Sequence, residues 1–246
     1  MKLPFDNTHR RRIYLLRHAE AAYIGADGAR APDSRVVALT ERGRAEAAAT
    51  GALLASVAFD RAVCSGLART LETAKIVLGQ RKVALEVVPA LEEIRGGDAI
   101  ARAEVSPPDF AYAMFRAGDR EARFVGGENF AHFAKRVVAA FNEIVAAQDW
   151  TSLLMVCHGG VNRAILTEIA GAGLRAFGAF EQDSCCFNII DVDCCLDGGK
   201  VERWILRAVN ATADDPIKST RRLLTLEGMA KQFAESAATV NPASRG

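Results

Sequence analysis

The chain has 246 residues, and half of them are hydrophobic, which is enough to bury a substantial core. Its 31 basic and 30 acidic residues give a net charge of +1, so it has no broad positive field for binding nucleic acid. The arginines at 10–12 precede only a short apolar run, so we identify no secretory signal and no membrane-spanning segment. We therefore expect a cytoplasmic protein with no nucleic-acid or membrane partner.

Apolar runs and helical patterns alternate along the chain. The predicted strands, in chain order, are 13–16, 62–64, 84–88, 153–157, 187–192 and 201–209. The predicted helices are 41–56, with Thr40 as its N-cap, 68–78, 130–147 and 161–170. The helix 130–147 has the clearest pattern, because its apolar residues form one stripe at helical spacing.

This alternation predicts an α/β fold of three layers, in which a mainly parallel central sheet is flanked by helices. The tripeptide Asp197-Gly198-Gly199 is typical of a tight turn and lies between the last two predicted strands. We therefore expect those two strands to form an antiparallel hairpin at an edge of the sheet.

Two segments depart from the alternation. Residues 95–127 contain Gly96-Gly97 and Pro107-Pro108 and mix aromatic residues with arginines, which predicts a mobile cap. The tail 212–246 contains a basic stretch and a short predicted helix near 226–236. We therefore divide the chain into an N-terminal extension 1–12, a main domain 13–211 with a cap insertion 95–127, and a C-terminal extension 212–246.

The cysteines could in principle hold a metal or form disulfides. They are Cys64, Cys157, Cys185, Cys186, Cys194 and Cys195. Four of them form adjacent pairs in predicted strands, where neighbouring side chains point to opposite faces of the sheet. Because such thiols do not converge on one tetrahedral ion, we expect no metal site and no disulfide, but small apolar side chains in a reducing compartment.

Three predicted strands end in polar residues of matching character. Arg17-His18 follows the first strand, the segment 65–69 with Arg69 follows the second, and His158-Gly159-Gly160 follows the strand 153–157. The carboxyl ends of parallel strands meet at one edge of a sheet, where open α/β folds bind ligands. Backbone N–H groups at the start of the helix after Gly160 should also point into this site. The pattern predicts a cationic pocket for a phosphate dianion.

Six short motifs in one order show a resemblance to a known family. They are R-H-A-E at 17–20, L-T-E-R-G at 39–43, S-G-L-A-R-T-L-E-T-A at 65–74, L-E-E-I at 91–94, G-G-E-N at 126–129 and V-C-H-G-G at 156–160. The chain resembles the histidine phosphatase superfamily, in its phosphoglycerate mutase-like branch, from residue 13 to about 211. The resemblance implies a catalytic domain with a central sheet flanked by helices. It also implies His18 as nucleophile, Glu93 as proton donor, and Arg17, Arg69 and His158 as the phosphate pocket, without a cofactor.

The chemistry of these residue types agrees with those roles. A neutral imidazole accepts a phosphoryl group readily, and a phosphohistidine divides one difficult hydrolysis into two transfers. One cation at about 4 Å from a phosphoryl oxygen contributes about 4 kcal/mol at an effective dielectric near 20, so Arg17 and Arg69 should dominate binding. Glu93 can supply the leaving group's proton if burial beside a bound dianion keeps it protonated, and Glu92 is the alternative donor. A bound anion should also hold His158 as imidazolium.

Departures from the family pattern favour a phosphatase over a mutase. Ala19 replaces the usual glycine and Gly66 a common proline, and neither change affects the proposed chemistry. Ala21 and Ile24 stand where many mutases place a hydroxyl and an asparagine, and the cap is shorter than theirs. We expect a metal-independent phosphomonoesterase acting on a small phosphorylated metabolite. The alternatives are a phosphoglycerate-type phosphomutase and a noncatalytic phosphate-binding regulatory protein.

Several points stay open at the level of sequence. Glu128 could contact the pocket or cap the helix that follows it, and an arginine of the cap could reach the substrate. Gly159 is a candidate substrate-binding residue because it precedes the helix at 161. A homodimer is a candidate assembly, while the substrate itself is not named by any motif.

Overall fold

The computed structural model of the protein describes residues 7–25, 31, 33–97, 105–196, 199–220 and 222–240. Its strands are β1 Thr8–Arg17, β2 Arg61–Cys64, β3 Leu85–Val87, β4 Ser152–Cys157, β5 Phe187–Cys195 and β6 Val201–Ala211. Its α-helices are α1 Glu41–Leu53, α2 Ala68–Leu78, α3 Pro107–Ala111, α4 Phe130–Ala146, α5 Gly159–Ile169 and α6 Thr225–Val240. Short 3-10 helices cover Pro89–Leu91, Ala113–Arg116, Phe124–Gly126 and Leu174–Ala179.

The strands form one mixed sheet in the order β3-β2-β4-β1-β5-β6. The pairs β3-β2, β2-β4 and β4-β1 are parallel, whereas β5 is antiparallel to both β1 and β6. This arrangement confirms the predicted fold class, including the antiparallel hairpin at the edge. The residues of the predicted turn at 197–198 lie outside the described part of the chain.

The central strand β1 shows how the two faces of the sheet are covered. Ile13 and Leu15 pack into a core cluster with residues of α4 and α5. Tyr14 and Leu16 point the other way, into a second cluster with residues of α1 and α2. The apolar stripe predicted on α4 is buried in the first cluster, namely Phe130, Phe133, Val137, Phe141, Ile144 and Val145.

The predicted first strand was too short, because β1 begins at Thr8 and not at residue 13. Arg10 pairs with Asp193 at 2.7 Å and Arg12 with Asp191 at 2.6 Å, both across the neighbouring strand β5. Arg11 points to the opposite face, where its buried guanidinium donates to the backbone carbonyls of Val145 and Ala147 at the end of α4. The three arginines interrupt the apolar pattern by which a strand is predicted. Facing carboxylates make Arg10 and Arg12 compatible with a sheet, and backbone carbonyls do the same for Arg11. Residues 8–12 therefore belong to the sheet and not to an extension.

The start of α1 is joined to the loop after β1. Thr40 caps α1 by accepting a hydrogen bond from the Gly43 backbone N–H at 2.9 Å, as predicted. The Thr40 N–H in turn donates to the Glu20 carbonyl at 3.0 Å. A Cβ on Gly43 would lie 2.1 Å from that carbonyl oxygen, so only glycine permits this approach. The L-T-E-R-G motif therefore fixes the loop that carries His18.

None of the six cysteines, all of which the structure describes, forms a disulfide, and five of them are buried. Cys185 and Cys186 precede β5 in a turn, contrary to the expected strand, because Cys185 adopts a left-handed backbone conformation with φ 52°. Within the described residues, no group of three or more His, Cys, Asp or Glu side chains is arranged to hold a metal ion. In the same part of the chain, no helix has the length and apolar character needed to cross a membrane.

The helix predicted in the tail is present and longer than expected, as α6 runs from Thr225 to Val240. It packs against the cap helix α3, where the rings of Phe110 and Phe233 meet edge to face at 5.4 Å between centroids. The cap and the tail thus contact each other over the sheet edge at which the candidate site lies.

Candidate active site

The register of the parallel strands aligns three strand ends at one edge of the sheet. Arg17 of β1 pairs with Cys157 of β4, and Cys64 of β2 pairs with the residue before Cys157. His18 and His158 follow directly, and their ring centroids are 5.3 Å apart. The His18 backbone N–H donates to the Cys157 carbonyl at 2.9 Å, so the two loops are hydrogen-bonded to each other.

His18 is buried, and its hydrogen bonds define its protonation. The Nδ1 atom lies 2.8 Å from the Ala19 carbonyl oxygen, which can only accept, so Nδ1 carries the proton and Nε2 keeps its lone pair. Burial lowers the pKa of His18 well below its ordinary value, and the charges of Arg69 and Arg17 lower it further. His18 is therefore a neutral imidazole with Nε2 available as a nucleophile.

Tyr23 is a neighbour of the candidate nucleophile that sequence reasoning did not identify. Its hydroxyl lies 3.4 Å from His18 Nε2, and the Arg69 guanidinium lies 5.6 Å from the centre of its ring. Burial raises the pKa of Tyr23, so the phenol stays protonated and donates to Nε2. Tyr23 follows the R-H-A-E motif by three residues, in a loop without periodicity, and no signal in the sequence marked it.

Arg17 and Arg69 both place a positive charge beside His18. Arg17 Nη1 donates to the Gln182 carbonyl at 2.8 Å and to the Thr225 hydroxyl at 3.1 Å, and Arg69 Nη1 donates to the Ser34 carbonyl at 2.9 Å. These partners are uncharged, so they orient the guanidinium groups without neutralising them. Within the described residues, the buried Nε atoms of both arginines have no hydrogen-bond acceptor. Both groups can therefore bind an anion in the pocket.

His158 lies behind this group and is fully buried. Its Nε2 atom is 2.8 Å from the Ser65 hydroxyl, while Nδ1 has no partner among the described residues. Burial lowers the pKa of His158 well below its ordinary value, and Arg69, His18 and Arg17 lower it further. The ring is thus neutral in the structure, and the expected imidazolium requires the charge of a bound anion.

Glu93 reaches the same pocket from the segment after the 3-10 helix Pro89–Leu91. Its carboxylate accepts hydrogen bonds from the Gly160 N–H at 3.0 and 3.1 Å and from the Ile94 N–H at 3.0 Å. A Cβ on Gly160 would lie 2.4 Å from Glu93 Oε1, so the glycine makes room for this carboxylate. Glu92 points elsewhere and pairs with Arg35, whose hydrogen bond is the main cause that lowers the pKa of Glu92.

The start of α5 differs from the prediction. The helix begins at Gly159 instead of residue 161, and the Gly160 N–H donates to Glu93 instead of pointing to an anion. The carboxylate satisfies a donor of the first turn that would otherwise lack a partner, which lets the helix start earlier. Gly159 lies between the Arg17 guanidinium and the Glu93 carboxylate, since a Cβ there would be 3.6 Å from Arg17 Nε and 3.9 Å from Glu93 Oε2.

Neither role considered for Glu128 is observed. Its carboxylate pairs with Arg136 at 3.0 Å and accepts from the Arg95 N–H at 3.2 Å, and it does not line the pocket. Asn129 caps α4 instead, by accepting from the N–H of His132 and of the residue before it. The G-G-E-N motif therefore ties the cap to α4.

A cavity of about 420 Å³ opens above His18. Its polar end is formed by Arg17, His18, Tyr23, Arg69 and Glu93. The wall formed by the cap and the tail helix is apolar and consists of Phe110, Met114, Phe124, Leu226, Met229 and Phe233. The rest of the lining includes the polar residues Asp33, Ser34, Arg35 and Arg95. Among the cap arginines that the structure describes, Arg95 lines the cavity, whereas those at 116, 120 and 123 are exposed outside it.

Comparison with known proteins agrees with the motifs. The family model described as the histidine phosphatase superfamily (branch 1) matches residues 13–206. An adenosylcobalamin/alpha-ribazole phosphatase of Escherichia coli (strain K12) is 30% identical over 187 residues, which cover 74% of this chain and 90% of the relative. A protein of Erwinia tasmaniensis named "Probable phosphoglycerate mutase GpmB" is 24% identical over 186 residues, which cover 73% of this chain and 84% of the relative.

A solved structure supports the same fold. The crystal structure of the alpha-ribazole phosphatase from Shigella flexneri superposes with a TM-score of 0.64 at 24% identity, covering 81% of this chain and 96% of that one. These matches confirm both the family and the phosphatase-like enzyme class that the six motifs predicted. The chain belongs to branch 1 of the histidine phosphatase superfamily.

Proposed function

We propose that the protein is a metal-independent phosphomonoesterase that hydrolyses a small phosphorylated metabolite through a phosphohistidine at His18. The observation that carries this proposal is the environment of His18 Nε2. This nitrogen is unprotonated in a buried site, and it lies beside Arg17 and Arg69, neither of which forms an ion pair with a carboxylate among the described residues. A phosphate dianion is the ligand whose charge and oxygen atoms suit such a site.

The first step transfers the phosphoryl group to the protein. Arg17 and Arg69 bind the equatorial oxygens, and the lone pair of His18 Nε2 attacks phosphorus in line with the leaving oxygen. The new N–P bond forms as the P–O bond to the alcohol breaks. Glu93 donates a proton to the departing oxygen as the general acid of this step.

The second step releases phosphate. Glu93, now a carboxylate, takes a proton from a water molecule that attacks phosphorus from the side of the departed alcohol. The N–P bond breaks, its electron pair returns to His18 Nε2, and inorganic phosphate leaves. Glu93 again carries a proton, so the enzyme returns to its starting state. The Tyr23 hydroxyl must move away from His18 Nε2 during the cycle, because one lone pair cannot both accept its hydrogen bond and form the N–P bond.

One feature of the pocket and one of the sequence favour a phosphatase over a mutase. Apolar side chains of the cap and tail form one wall of the space above the phosphate site, and a phosphorylated sugar acid has no apolar part to place against it. In the sequence, Ala21 and Ile24 stand where many mutases place a hydroxyl and an asparagine. Retention of Glu93 as a hydrogen-bonded carboxylate in the pocket argues against a noncatalytic binding protein, since binding alone needs no proton donor. Action in the cytoplasm and assembly as a homodimer remain part of this proposal.

The test is a panel of phosphomonoesters assayed by released phosphate, with a chelator present and with His18→Ala as the matched variant. The panel includes phosphorylated sugars, nucleotides, alpha-ribazole phosphate and a generic aryl phosphate. We expect turnover by the wild type, loss of turnover by at least about 1,000-fold in His18→Ala, and an acid-labile phosphoprotein after rapid quenching. Absence of any turnover, or equal turnover by His18→Ala, would overturn the proposal, and phosphate that moves within a substrate would indicate a mutase.

A further inference from the structure

The C-terminal helix α6 contributes a wall to the pocket although it lies beyond the residues that match the family model, 13–206. Three of its side chains line the cavity, namely Leu226, Met229 and Phe233. Their spacing of three and four residues places them on one face of the helix. All three are partly buried against the larger core cluster, so this face is packed and not merely near the pocket.

The same wall continues into the cap. Phe233 contacts Phe110 of α3 edge to face at 5.4 Å, and Phe110 lies 6.5 Å from Phe124. Met114, which also lines the cavity, belongs to the same core cluster. The cap and the tail helix therefore form one continuous apolar surface facing the space above His18.

The first residue of α6 fixes the distance of this wall from the phosphate site. The Thr225 hydroxyl lies 3.1 Å from Arg17 Nη1 and donates to the Gln182 carbonyl at 3.1 Å, the same carbonyl that accepts from Arg17. The Thr225 N–H donates to the Glu181 carboxylate at 2.9 Å. Because a helix is stiff, anchoring its first turn at Arg17 also places Met229 and Phe233 relative to a phosphate bound there.

We infer that α6 is a specificity-determining element that selects phosphomonoesters whose alcohol portion carries an apolar ring. This inference rests on the proposed function, because the alcohol is oriented by the phosphate at Arg17 and Arg69. With the phosphate at the polar end of a cavity of about 420 Å³, the alcohol extends between α3 and α6. An apolar ring loses water there without leaving a polar group unpaired, whereas a polyhydroxylated alcohol loses hydrogen bonds that the wall does not replace.

The experiment compares two alkyl phosphates that differ in the alcohol, 2-phenylethyl phosphate and glycerol 3-phosphate. Both substrates have an alkoxide leaving group that needs a proton. The ratio of kcat/KM between the two substrates therefore reports the contacts that the protein makes with the alcohol portion. We expect the wild type to favour 2-phenylethyl phosphate by about tenfold or more, and Phe233→Ala and Met229→Ala to reduce that preference by about tenfold, mainly through KM. Met229→Gln keeps the length of the side chain but makes it polar, and should act in the same direction.

Gln232→Ala is the matched control, because Gln232 is exposed on α6 and does not line the cavity. It should leave kcat/KM for both substrates unchanged. Two results would overturn the inference while the phosphatase activity stands. One is a wild type with equal kcat/KM for the two substrates. The other is a set of variants in which kcat/KM falls equally for both substrates or for neither. If the wild type hydrolyses no phosphomonoester at all, the proposed function fails and the inference fails with it. Melting temperatures of all variants show whether Phe233→Ala folds. If it does not fold, the substrate preference of Met229→Gln tests the inference.

Discussion

The tautomer and the neutral state of His18 depend on its nearest contacts. The Ala19 carbonyl holds the proton on Nδ1, and burial beside Arg69 and Arg17 keeps the ring neutral. The sequence predicted Arg17, His18, Arg69 and His158 because each comes just after a strand end or in the first turn that follows it. It could not predict Tyr23, whose hydroxyl meets His18 only because of how one aperiodic loop folds back.

Ser65 is a positioning residue for His158, and its removal provides a test at the scale of one hydroxyl. Its oxygen lies 2.8 Å from His158 Nε2 and 3.0 Å from the Thr70 hydroxyl, which itself donates to the Leu67 carbonyl. Ser65→Ala leaves a buried ring nitrogen without a partner, at a cost of about 1–3 kcal/mol. We expect kcat/KM to fall by about tenfold or more and the inhibition constant of inorganic phosphate to rise.

The inhibition constant separates positioning from a general loss of stability. Ser56→Ala is the control, because Ser56 is exposed after α1 and does not line the cavity. If Ser65→Ala lowers the melting temperature but leaves both kcat/KM and the inhibition constant of the folded fraction unchanged, then Ser65 does not position His158.

At the scale of elements, the sequence predicted most strands and helices because their apolar periodicity is undisturbed. The prediction failed where charges break the pattern. Thr8 to Arg12 was missed because Arg10 and Arg12 form cross-strand ion pairs with Asp193 and Asp191 that no local pattern reveals. The start of α5 was missed because its first turn is satisfied by Glu93, a residue 67 positions away from Gly160.

Gly160→Ala tests the contact between α5 and the proposed proton donor. The new Cβ would lie 2.4 Å from Glu93 Oε1, which forces the carboxylate away from its hydrogen bond to the Gly160 N–H. An alkyl phosphate needs the proton that Glu93 supplies, whereas an aryl phosphate with a good leaving group needs it less. We expect kcat for glycerol 3-phosphate to fall by about 100-fold and kcat for an aryl phosphate to fall much less.

Gly228→Ala is the matched control for this change. Gly228 lies within α6, and a Cβ there meets nothing within 4 Å. Alanine has the higher helix propensity by about 1 kcal/mol, so this variant should be as stable as the wild type or more stable and fully active. Equal losses of kcat on alkyl and aryl substrates in Gly160→Ala would argue against Glu93 as the proton donor.

At the scale of the whole molecule, the pocket joins parts of the chain that are far apart in sequence. The phosphate end comes from the end of β1 and the loop after it, from the start of α2 and from Glu93, and His158 after β4 lies behind it. The family motifs mark all of these residues except Tyr23. The apolar wall comes from the cap and from α6, beyond the matched residues. The spacing of Leu226, Met229 and Phe233 is that of any packed helix, so the sequence predicted the helix but not the site it serves.

Two buried neutral histidines also make the stability of the whole fold depend on pH. Burial lowers the pKa of His18 and His158 in the folded protein, while both titrate near 6.5 in the unfolded chain. Below about pH 6.5 the unfolded state therefore binds protons that the folded state does not, so the free energy of unfolding falls as the pH falls toward the lower folded-state pKa values. Each histidine contributes a loss of about 1 kcal/mol between about pH 6 and pH 5.

His18→Gln isolates one of these contributions, because glutamine cannot take up a proton in this range. The difference in free energy of unfolding between wild type and His18→Gln should be constant near pH 8, where His18 is neutral in both states. It should then shift by about 1 kcal/mol in favour of the variant between about pH 6 and pH 5, as measured by denaturant titration at each pH. Parallel curves across that range would mean that His18 has the same pKa in the folded and the unfolded chain, and they would contradict a ring kept neutral by burial and by the charges of Arg69 and Arg17.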